Sequence, residues 1–250
     1  MTEAGTAEAE ADPAGGPRGP SGASPMAGGK RRVPLALARA VAAEARARLA
    51  PACVRLEIAG SIRRGRPNVG DVELVAVPRV APGRPDLFGE ATAAVDELHA
   101  LATELLAQGV LAHRPDKNGR PACGEKLKRV VFSGDAGEMP LDLFAVTGGT
   151  QWGVIFAIRT GPGAFSTRLV TQRRYGGGMP EGFRVRDGAL WAGERLVETP
   201  EEADLFAALG LPWLAPERRT DTVRPLRRAG AWDWHDPAQP ASTGTPGGRA

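Results

Sequence analysis

Alternating apolar and polar positions predict a chain of helices and strands between two low-complexity ends. Residues 34–49 are rich in Ala, Leu and Arg and predict a helix, because Pro34 suits a first helical turn. Apolar residues at helical spacing predict a second helix over 91–108, after a loop over 80–90. Runs that alternate apolar and polar residues predict strands. These strands are 54–58, 71–77, 127–132 and 139–146.

The second half of the chain predicts shorter elements. Two short helices, 151–158 and 165–175, flank Thr160-Gly161-Pro162-Gly163. A hairpin is predicted over 183–191, with its turn at Asp187-Gly188. A last helix is expected to begin with Thr199 as its cap and Pro200 at its first position, and to stop at Gly210. Together the patterns predict an α+β fold.

The two ends differ from the middle in composition. Residues 1–33 and 220–250 are rich in Ala, Gly and Pro and bury too little apolar surface to offset the entropy of ordering. We therefore expect both to be disordered tails, the second carrying an unassigned aromatic cluster around Trp232 and Trp234. The middle is long enough for one α+β domain or two small subdomains that share a core.

Composition excludes several classes of protein. No run of residues reaches the roughly 18 apolar positions of a membrane span, and the N-terminus has no signal-peptide core. Cys53 and Cys123 are the only cysteines, which excludes a disulfide framework and fits the reducing cytoplasm. The net charge is +3, but the positive charge is clustered and favours a polyanionic partner. The clusters are 30–32, 63–66, 126–129, 173–174 and 218–219.

The segment from Gly60 to Glu73 carries the strongest chemical signal. Asp71 and Glu73 lie at positions i and i+2 of a predicted strand, so their side chains project from the same face. Two carboxylates repel each other unless a cation lies between them, and oxygen ligands suit Mg²⁺ or Mn²⁺. Just before them, the Gly60-Ser61 turn offers N–H groups and a hydroxyl for phosphate, and Arg64 adds positive charge. A metal site beside a phosphate site predicts a nucleotidyltransferase.

Asp142 is the third candidate carboxylate. It interrupts an apolar strand, where an acid is costly to bury unless it is paired or binds a metal. If this strand lies beside the strand of Asp71 and Glu73, the three acids surround one point and can hold two divalent ions. Asp142 would then orient or deprotonate the attacking hydroxyl. The alternative is a structural salt bridge from Asp142 to Lys126 or Lys128.

These motifs resemble those of the family X DNA polymerases, the DNA polymerase β-like branch of the nucleotidyltransferases. Thr160-Gly161 followed by Phe165 resembles the family's Thr-Gly-Ser segment, and the run from Leu209 to Arg218 resembles its C-terminal ending. The resemblance implies a palm over 34–149 and a thumb over 150–219, without lyase or helix-hairpin-helix modules. It also implies a set of nucleotide-binding residues. These are Gly60, Ser61, Arg64, Gly70, Thr160, Gly161 and Ser166.

The sequence departs from the family pattern at several positions. Glu73 replaces the usual second Asp, and Ile158-Arg159 replaces the aromatic pair that takes part in sugar discrimination. Ser166 falls at the position of the Asn that contacts the nucleotide's minor-groove edge. The family's Gly-Ser cis peptide falls on Gly161-Pro162, and because proline lowers the cis penalty we predict a cis bond there.

The resemblance implies a Mg²⁺-dependent DNA polymerase that uses dNTPs, acts on primed or gapped DNA in repair, and works as a cytoplasmic monomer. Lys126, Lys128 and Arg168 are its expected DNA contacts; the family's template-contacting Arg falls on Val170, and the nearby Arg168 would substitute for it. The alternative is a template-independent nucleotidyltransferase that modifies RNA, a small molecule or a protein. A DNA-binding pseudoenzyme is a third option, which three intact carboxylates disfavour.

Overall fold

The computed structural model describes residues 31–83, 93–115, 119 and 123–238. The predicted N-terminal tail up to residue 30, most of the predicted 80–90 loop and the expected helix start at 91 lie outside these residues. The helices are α1 (Leu35–Leu49), α2 (Gly60–Arg63), α3 (Glu97–Ala107), α4 (Gly149–Thr160), α5 (Gly163–Val170) and α6 (Glu202–Ala208). The strands of the first half are β1 (Val33–Pro34), β2 (Cys53–Ile58), β3 (Asn68–Val69), β4 (Val72–Pro78), β5 (Val80–Ala81), β6 (Val95–Asp96), β7 (Leu111–His113), β8 (Leu127–Gly134) and β9 (Gly137–Ala145). Those of the second half are β10 (Phe183–Arg186), β11 (Ala189–Ala192), β12 (Arg195–Val197), β13 (Arg224–Arg228) and β14 (Ala231–His235).

A mixed five-stranded sheet forms the centre of the first half, with strand order β2-β4-β9-β8-β7. β4 pairs in parallel with β9, and the other neighbours are antiparallel. The parallel register places Glu73 directly opposite Asp142. The strands of the predicted acids are therefore neighbours, as the sequence predicted. Helices and a mixed sheet together confirm the α+β class.

The two faces of this sheet bury different partners because successive strand residues alternate in direction. Val72, Leu74 and Leu141 face the main core, which is completed by apolar residues of α1 and α3. Val75 and Phe144 face the opposite way and pack with Trp152 of α4. Glu73 and Asp142 share this second face, so they lie between the sheet and the second half of the chain.

The second half has its own core, built from α4, α5 and α6 against the small sheet β10-β11-β12. The predicted hairpin turn at Asp187-Gly188 is confirmed, since both residues have positive φ between β10 and β11. The last helix begins later than predicted. Glu201 is its cap in a capping box with Asp204, whereas the buried Thr199 hydroxyl donates to the Thr150 carbonyl oxygen.

The prediction of a disordered tail from residue 220 is wrong for the part that the structure describes. β13 and β14 form an antiparallel hairpin. The Trp234 ring lies 5.2 Å from Phe165 and 6.0 Å from Phe206, and its indole nitrogen donates to the Pro212 carbonyl oxygen at 2.7 Å. Composition alone missed this hairpin because its two tryptophans bury apolar surface against a distant core. Within the described ranges, no helix is long and apolar enough to cross a membrane.

Candidate active site

The Gly60 turn begins the site between β2 and β4. Gly60 has φ +64°, in the left-handed region that glycine adopts without strain. A methyl group at this position would overlap the Glu73 carboxylate, so the turn and the acid pack closely. The Ala59 N–H donates to the Glu73 carbonyl oxygen at 2.8 Å and holds the turn on β4. The predicted phosphate turn and the predicted metal acids are thus in contact.

Burial and neighbouring acids dominate the electrostatics of Glu73. Burial, together with the charges of Asp71 and Asp142, raises the pKa of the Glu73 carboxyl to about 7, against the opposing effects of Arg64 and Arg159. Both of the other predicted acids therefore act on Glu73. This is the environment in which a carboxylate gains most from a bound divalent ion.

Asp142 is held by arginine in this structure. Its carboxylate forms an ion pair with Arg114, and Arg129 Nε lies 3.9 Å from its second oxygen. Among the described residues, no three acidic, histidine or cysteine side chains are grouped so as to hold a metal ion. The predicted structural salt bridge is therefore present, but with Arg114 and Arg129 in place of Lys126 or Lys128. A three-carboxylate metal site would require Asp142 to exchange Arg114 for the ion.

A cavity of about 610 Å³ opens beside these acids. Ser61, Arg64, Gly70, Asp71 and Glu73 all line it, which brings most of the predicted first-half site residues to one space. The remaining lining residues add positive charge and a wall from the second half. They are Arg32, Arg66, Pro67, Asn68, Pro162, Thr220, Asp221 and Thr222.

Two polar atoms in this region are buried without a hydrogen-bond partner in the part of the chain that the structure describes. These are the Ser61 hydroxyl oxygen and Arg64 Nε. Burial lowers the pKa of the Arg64 guanidinium, while the nearby Glu73 carboxylate raises it. Unsatisfied buried polar groups are costly, so these atoms indicate a missing polar ligand. Mg²⁺ usually binds through one or two carboxylates plus substrate phosphates, and Asp71 and Glu73 beside Ser61 and Arg64 fit that donor set.

Of the second-half residues predicted to contact the nucleotide, Thr160 and Ser166 form hydrogen bonds within the protein. Thr160 is buried; its hydroxyl accepts from Arg63 at 2.7 Å and its carbonyl oxygen accepts from Arg64. The Ser166 hydroxyl donates to the Ile158 carbonyl oxygen at 2.6 Å, and Ser166 does not line the cavity. Pro162 lines it instead, one residue after Gly161.

The predicted cis bond at Gly161-Pro162 is wrong. All peptide bonds in the described ranges are trans. Gly161 is extended with φ −70° and ψ 155°, and Pro162 is the N-cap of α5. The trans geometry counts against aligning this bond with the family's cis peptide.

The three predicted DNA contacts have different environments. Lys126 is exposed, as a DNA contact requires. Lys128 is buried, and its ammonium donates to the carbonyl oxygens of Gly124 at 3.2 Å and Glu125 at 3.5 Å. Arg168 donates to the carbonyl oxygens of Asp221 and Val223 at 2.6 and 3.1 Å. In this conformation Lys128 and Arg168 stabilise the protein's own loops.

An ion-pair network centred on the buried Glu202 joins the two halves. Arg63 donates to both carboxylate oxygens of Glu202 at 2.9 and 3.0 Å, and Arg219 donates to the same carboxylate at 2.5 Å. Arg219 is fully buried, so this member of the 218–219 cluster is structural. Burial alone would raise the pKa of Glu202, but the hydrogen bonds and charges of Arg219 and Arg63 lower it to about 2.

Sequence reasoning missed several residues of the site. Arg32 and Arg66 were recognised only as members of basic clusters, which was the available signal for them. Arg159 stacks on the Phe144 ring at 3.9 Å and acts electrostatically on Glu73 and Asp142. Residues 220–222 had no local signal, because they reach the cavity through the folding of the C-terminal hairpin.

Comparison with known families gives a match in the second half of the chain. Residues 159–220 match the family model of the DNA polymerase beta thumb. No curated protein is found to match the chain. The matched segment runs from the end of α4 to Thr220 and includes Pro162 of the cavity. This region is therefore similar to the thumb of family X polymerases, and at family level the match indicates a DNA-binding, polymerase-like protein.

Proposed function

We propose that the protein is a DNA polymerase of family X type, which transfers a nucleotidyl group from a dNTP to the 3′-hydroxyl of a DNA primer, in repair. One observation carries the proposal. Ser61, Arg64, Asp71 and Glu73 line the same cavity as Pro162, which belongs to the segment that matches a polymerase thumb. A phosphate site, a pair of acids and a thumb element thus surround a space of nucleotide size.

The triphosphate is bound by the basic wall of the cavity. The unpartnered Ser61 hydroxyl and Arg64 Nε supply donors, and both are already fixed by the Gly60 turn. Arg32 and Arg66 add positive charge on the same wall. Arginine suits this role because its planar, permanently charged fork matches phosphate oxygens.

Asp71 and Glu73 would hold Mg²⁺, with Mn²⁺ as a second possibility. Bound there, the ion supplies a lower pKa for the attacking hydroxyl and charge neutralisation for the phosphates. Asp142 lies beside Glu73 on the neighbouring strand and would orient the primer hydroxyl or accept its proton. It performs this role once its carboxylate has exchanged Arg114 for the substrate complex.

DNA binding is assigned to two exposed basic residues at the start of β8. Lys126 directly precedes this strand, and Arg129 lies beside Asp142. Affinity for DNA is expected to fall steeply with salt, because phosphate contacts release counterions.

Primer extension tests the proposal. The wild-type protein is given labelled dNTPs or rNTPs with Mg²⁺ or Mn²⁺, on gapped, recessed and single-stranded substrates. Template-directed extension is expected, with a loss of about 10³-fold in Asp71→Asn. The matched control is Asp135→Asn, an exposed turn residue between β8 and β9. Equal activity in the Asp71→Asn and Asp135→Asn proteins would refute the assignment.

Template-independent transfer is the second candidate, and two observations favour it. Ser166 and Arg168, at or near the family's nucleotide-edge and template contacts, are engaged in bonds within the protein. Incorporation that ignores the template base, or transfer to single-stranded or RNA acceptors, would select this alternative.

A further inference from the structure

Residues 220–222 form an outer wall of the cavity that neither the sequence nor the thumb match assigns. Thr220 ends the matched segment, and Asp221 and Thr222 follow it. All three line the cavity together with Ser61 and Asp71. This wall therefore belongs to the nucleotide space, although most of it lies beyond the region similar to a polymerase thumb.

A single carboxylate at the end of the C-terminal hairpin holds this wall. The Thr222 hydroxyl donates to Asp236 Oδ1 at 2.7 Å, and the Thr220 hydroxyl donates to Asp236 Oδ2 at 3.2 Å. The Ala238 N–H also donates to Oδ1, at 3.0 Å. The hydrogen bond from Thr222 is the largest effect that lowers the pKa of Asp236, so the carboxylate is charged at neutral pH and accepts strongly.

The hairpin that carries Asp236 is fixed to the second-half core. Trp234 packs against Phe165 and Phe206 and donates to the Pro212 carbonyl oxygen. Arg173 stacks on the Trp232 ring at 4.4 Å. Asp236 therefore directly follows a strand that is packed on the second-half core. The tryptophans that composition left unassigned make these packing contacts.

The rest of the wall is held by arginines of both halves. Arg168 donates to the carbonyl oxygens of Asp221 and Val223, and Arg66 donates to the Arg219 carbonyl oxygen at 3.2 Å. The Asp221 charge also acts on Arg64, whose buried Nε has no hydrogen-bond partner among the described residues. The wall thus lies beside the proposed phosphate-binding side of the cavity. Asp236, Arg168 and Arg66 hold it in position.

We propose that the C-terminal hairpin is a positioning element of the nucleotide site: through Asp236 it clamps Thr220, Asp221 and Thr222 as the wall against which a nucleoside triphosphate binds. The inference rests on the proposed function, since it takes the cavity as the dNTP site. Asp236 is a positioning residue that acts through Thr220 and Thr222, whereas DNA binding is assigned to Lys126 and Arg129 of the first half.

The test compares Asp236→Ala with Asp233→Ala in the full chain. Asp233 is an exposed acid on the same hairpin, and its carboxylate accepts from the adjacent Trp234 N–H, away from the wall. Binding of dATP with Mg²⁺ is measured by titration calorimetry, and binding of a labelled gapped duplex by fluorescence anisotropy. Asp236→Ala is expected to weaken dATP binding about tenfold, because charge-assisted hydrogen bonds are lost. Duplex binding, and both affinities in Asp233→Ala, stay at the wild-type value.

Steady-state kinetics separate positioning from general damage. Asp236→Ala is expected to raise the KM for dATP about tenfold and to leave kcat within about twofold. If this variant does not fold, Thr222→Val decides, since it keeps the side-chain shape and removes one clamp bond; a severalfold weaker dATP affinity is expected. Wild-type affinity in a folded Asp236→Ala protein, or in Thr222→Val where that decides, overturns the inference alone. A wild-type chain that binds no dATP with Mg²⁺ overturns the proposed function together with it.

Discussion

Two glutamates, Glu202 at the junction of the two halves and Glu73 at the cavity, have opposite electrostatic environments. Glu202, at the junction of the two halves, receives hydrogen bonds from Arg63 and Arg219, and its pKa is lowered to about 2. Glu73, at the cavity, is half-buried near two other acids, and its pKa is raised to about 7. The first site has all the positive charge it needs. At the second, Arg64 and Arg159 offset the effect of burial and of the neighbouring acids only in part, which fits the proposed metal site.

Arg63 and Arg64, which are adjacent at the Gly60 turn, also differ in their hydrogen-bond partners. Arg63 lies over the Phe156 ring at 4.0 Å and is bound to Glu202 and Thr160. Arg64 keeps a buried nitrogen without a partner beside the cavity. Both arginines therefore contact Thr160 of the second half, but Arg64 also has a buried nitrogen with no partner among the described residues, and we propose that it binds substrate.

The largest effect is expected when the Glu73 charge at the cavity is removed. Glu73→Gln should lower primer extension by about 10³-fold, because it removes charge that stabilises the transition state through the metal. Its melting temperature should stay equal or rise, since one of three mutually repelling charges is removed. Extension assays and thermal melts check both. Wild-type extension by Glu73→Gln would remove this acid from the active site.

The opposite outcome is expected at the junction. Glu202→Gln should lower the free energy of unfolding by about 3–5 kcal/mol, because it leaves the buried Arg219 and the half-buried Arg63 without their anion. The control is Glu201→Gln, whose ion pair with Arg55 is exposed and is worth less than about 1 kcal/mol. Denaturant unfolding of the two variants measures the difference. Equal losses would mean that the buried network is no stronger than a surface pair.

Lowering the pH should remove the stability that charged Glu202 contributes at the junction of the two halves. The folded-state pKa of Glu202, about 2, lies below its ordinary value of 4.5. Its contribution is therefore fully present above pH 4.5 and is lost as the pH falls towards 2. The stability gap between wild type and Glu202→Gln should narrow over that range in melts at successive pH values. A constant gap would contradict the low pKa.

The smallest effect is expected when a methyl group is added at Gly60, in the turn beside Glu73. Gly60→Ala should cost about 1–2 kcal/mol for its left-handed backbone, plus the displacement of Glu73. Gly65→Ala is a matched control, because Gly65 has φ +66° with open space around its Cβ position. Both variants should lose stability, and Gly60→Ala should also lose dNTP affinity. Equal dNTP affinity in the two variants would show that the contact with Glu73 is not needed.

The fold and half of the candidate site were accessible from sequence because they depend on local periodicity. Alternation along β4 placed Asp71 and Glu73 on one face, and the apolar run around Asp142 identified the partner strand. The Gly60-Ser61 turn was recognisable because a left-handed glycine before a helical turn has few substitutes. Roles inferred from alignment with the family fared worse. Ser166 turns inward, and Gly161-Pro162 is trans.

What the sequence by itself determined is the order of the elements, the face on which each acid lies, and the presence of the Gly60-Ser61 turn. Only the tertiary structure decided that Arg114 holds Asp142, that Arg219 is buried against Glu202, and that the C-terminal hairpin brings Thr220 and Thr222 to the cavity. The physical reason is range. Strand and turn patterns are set by neighbours a few residues apart. The partner of a charge is chosen among all groups that folding brings within a few ångströms, and no local pattern records that choice.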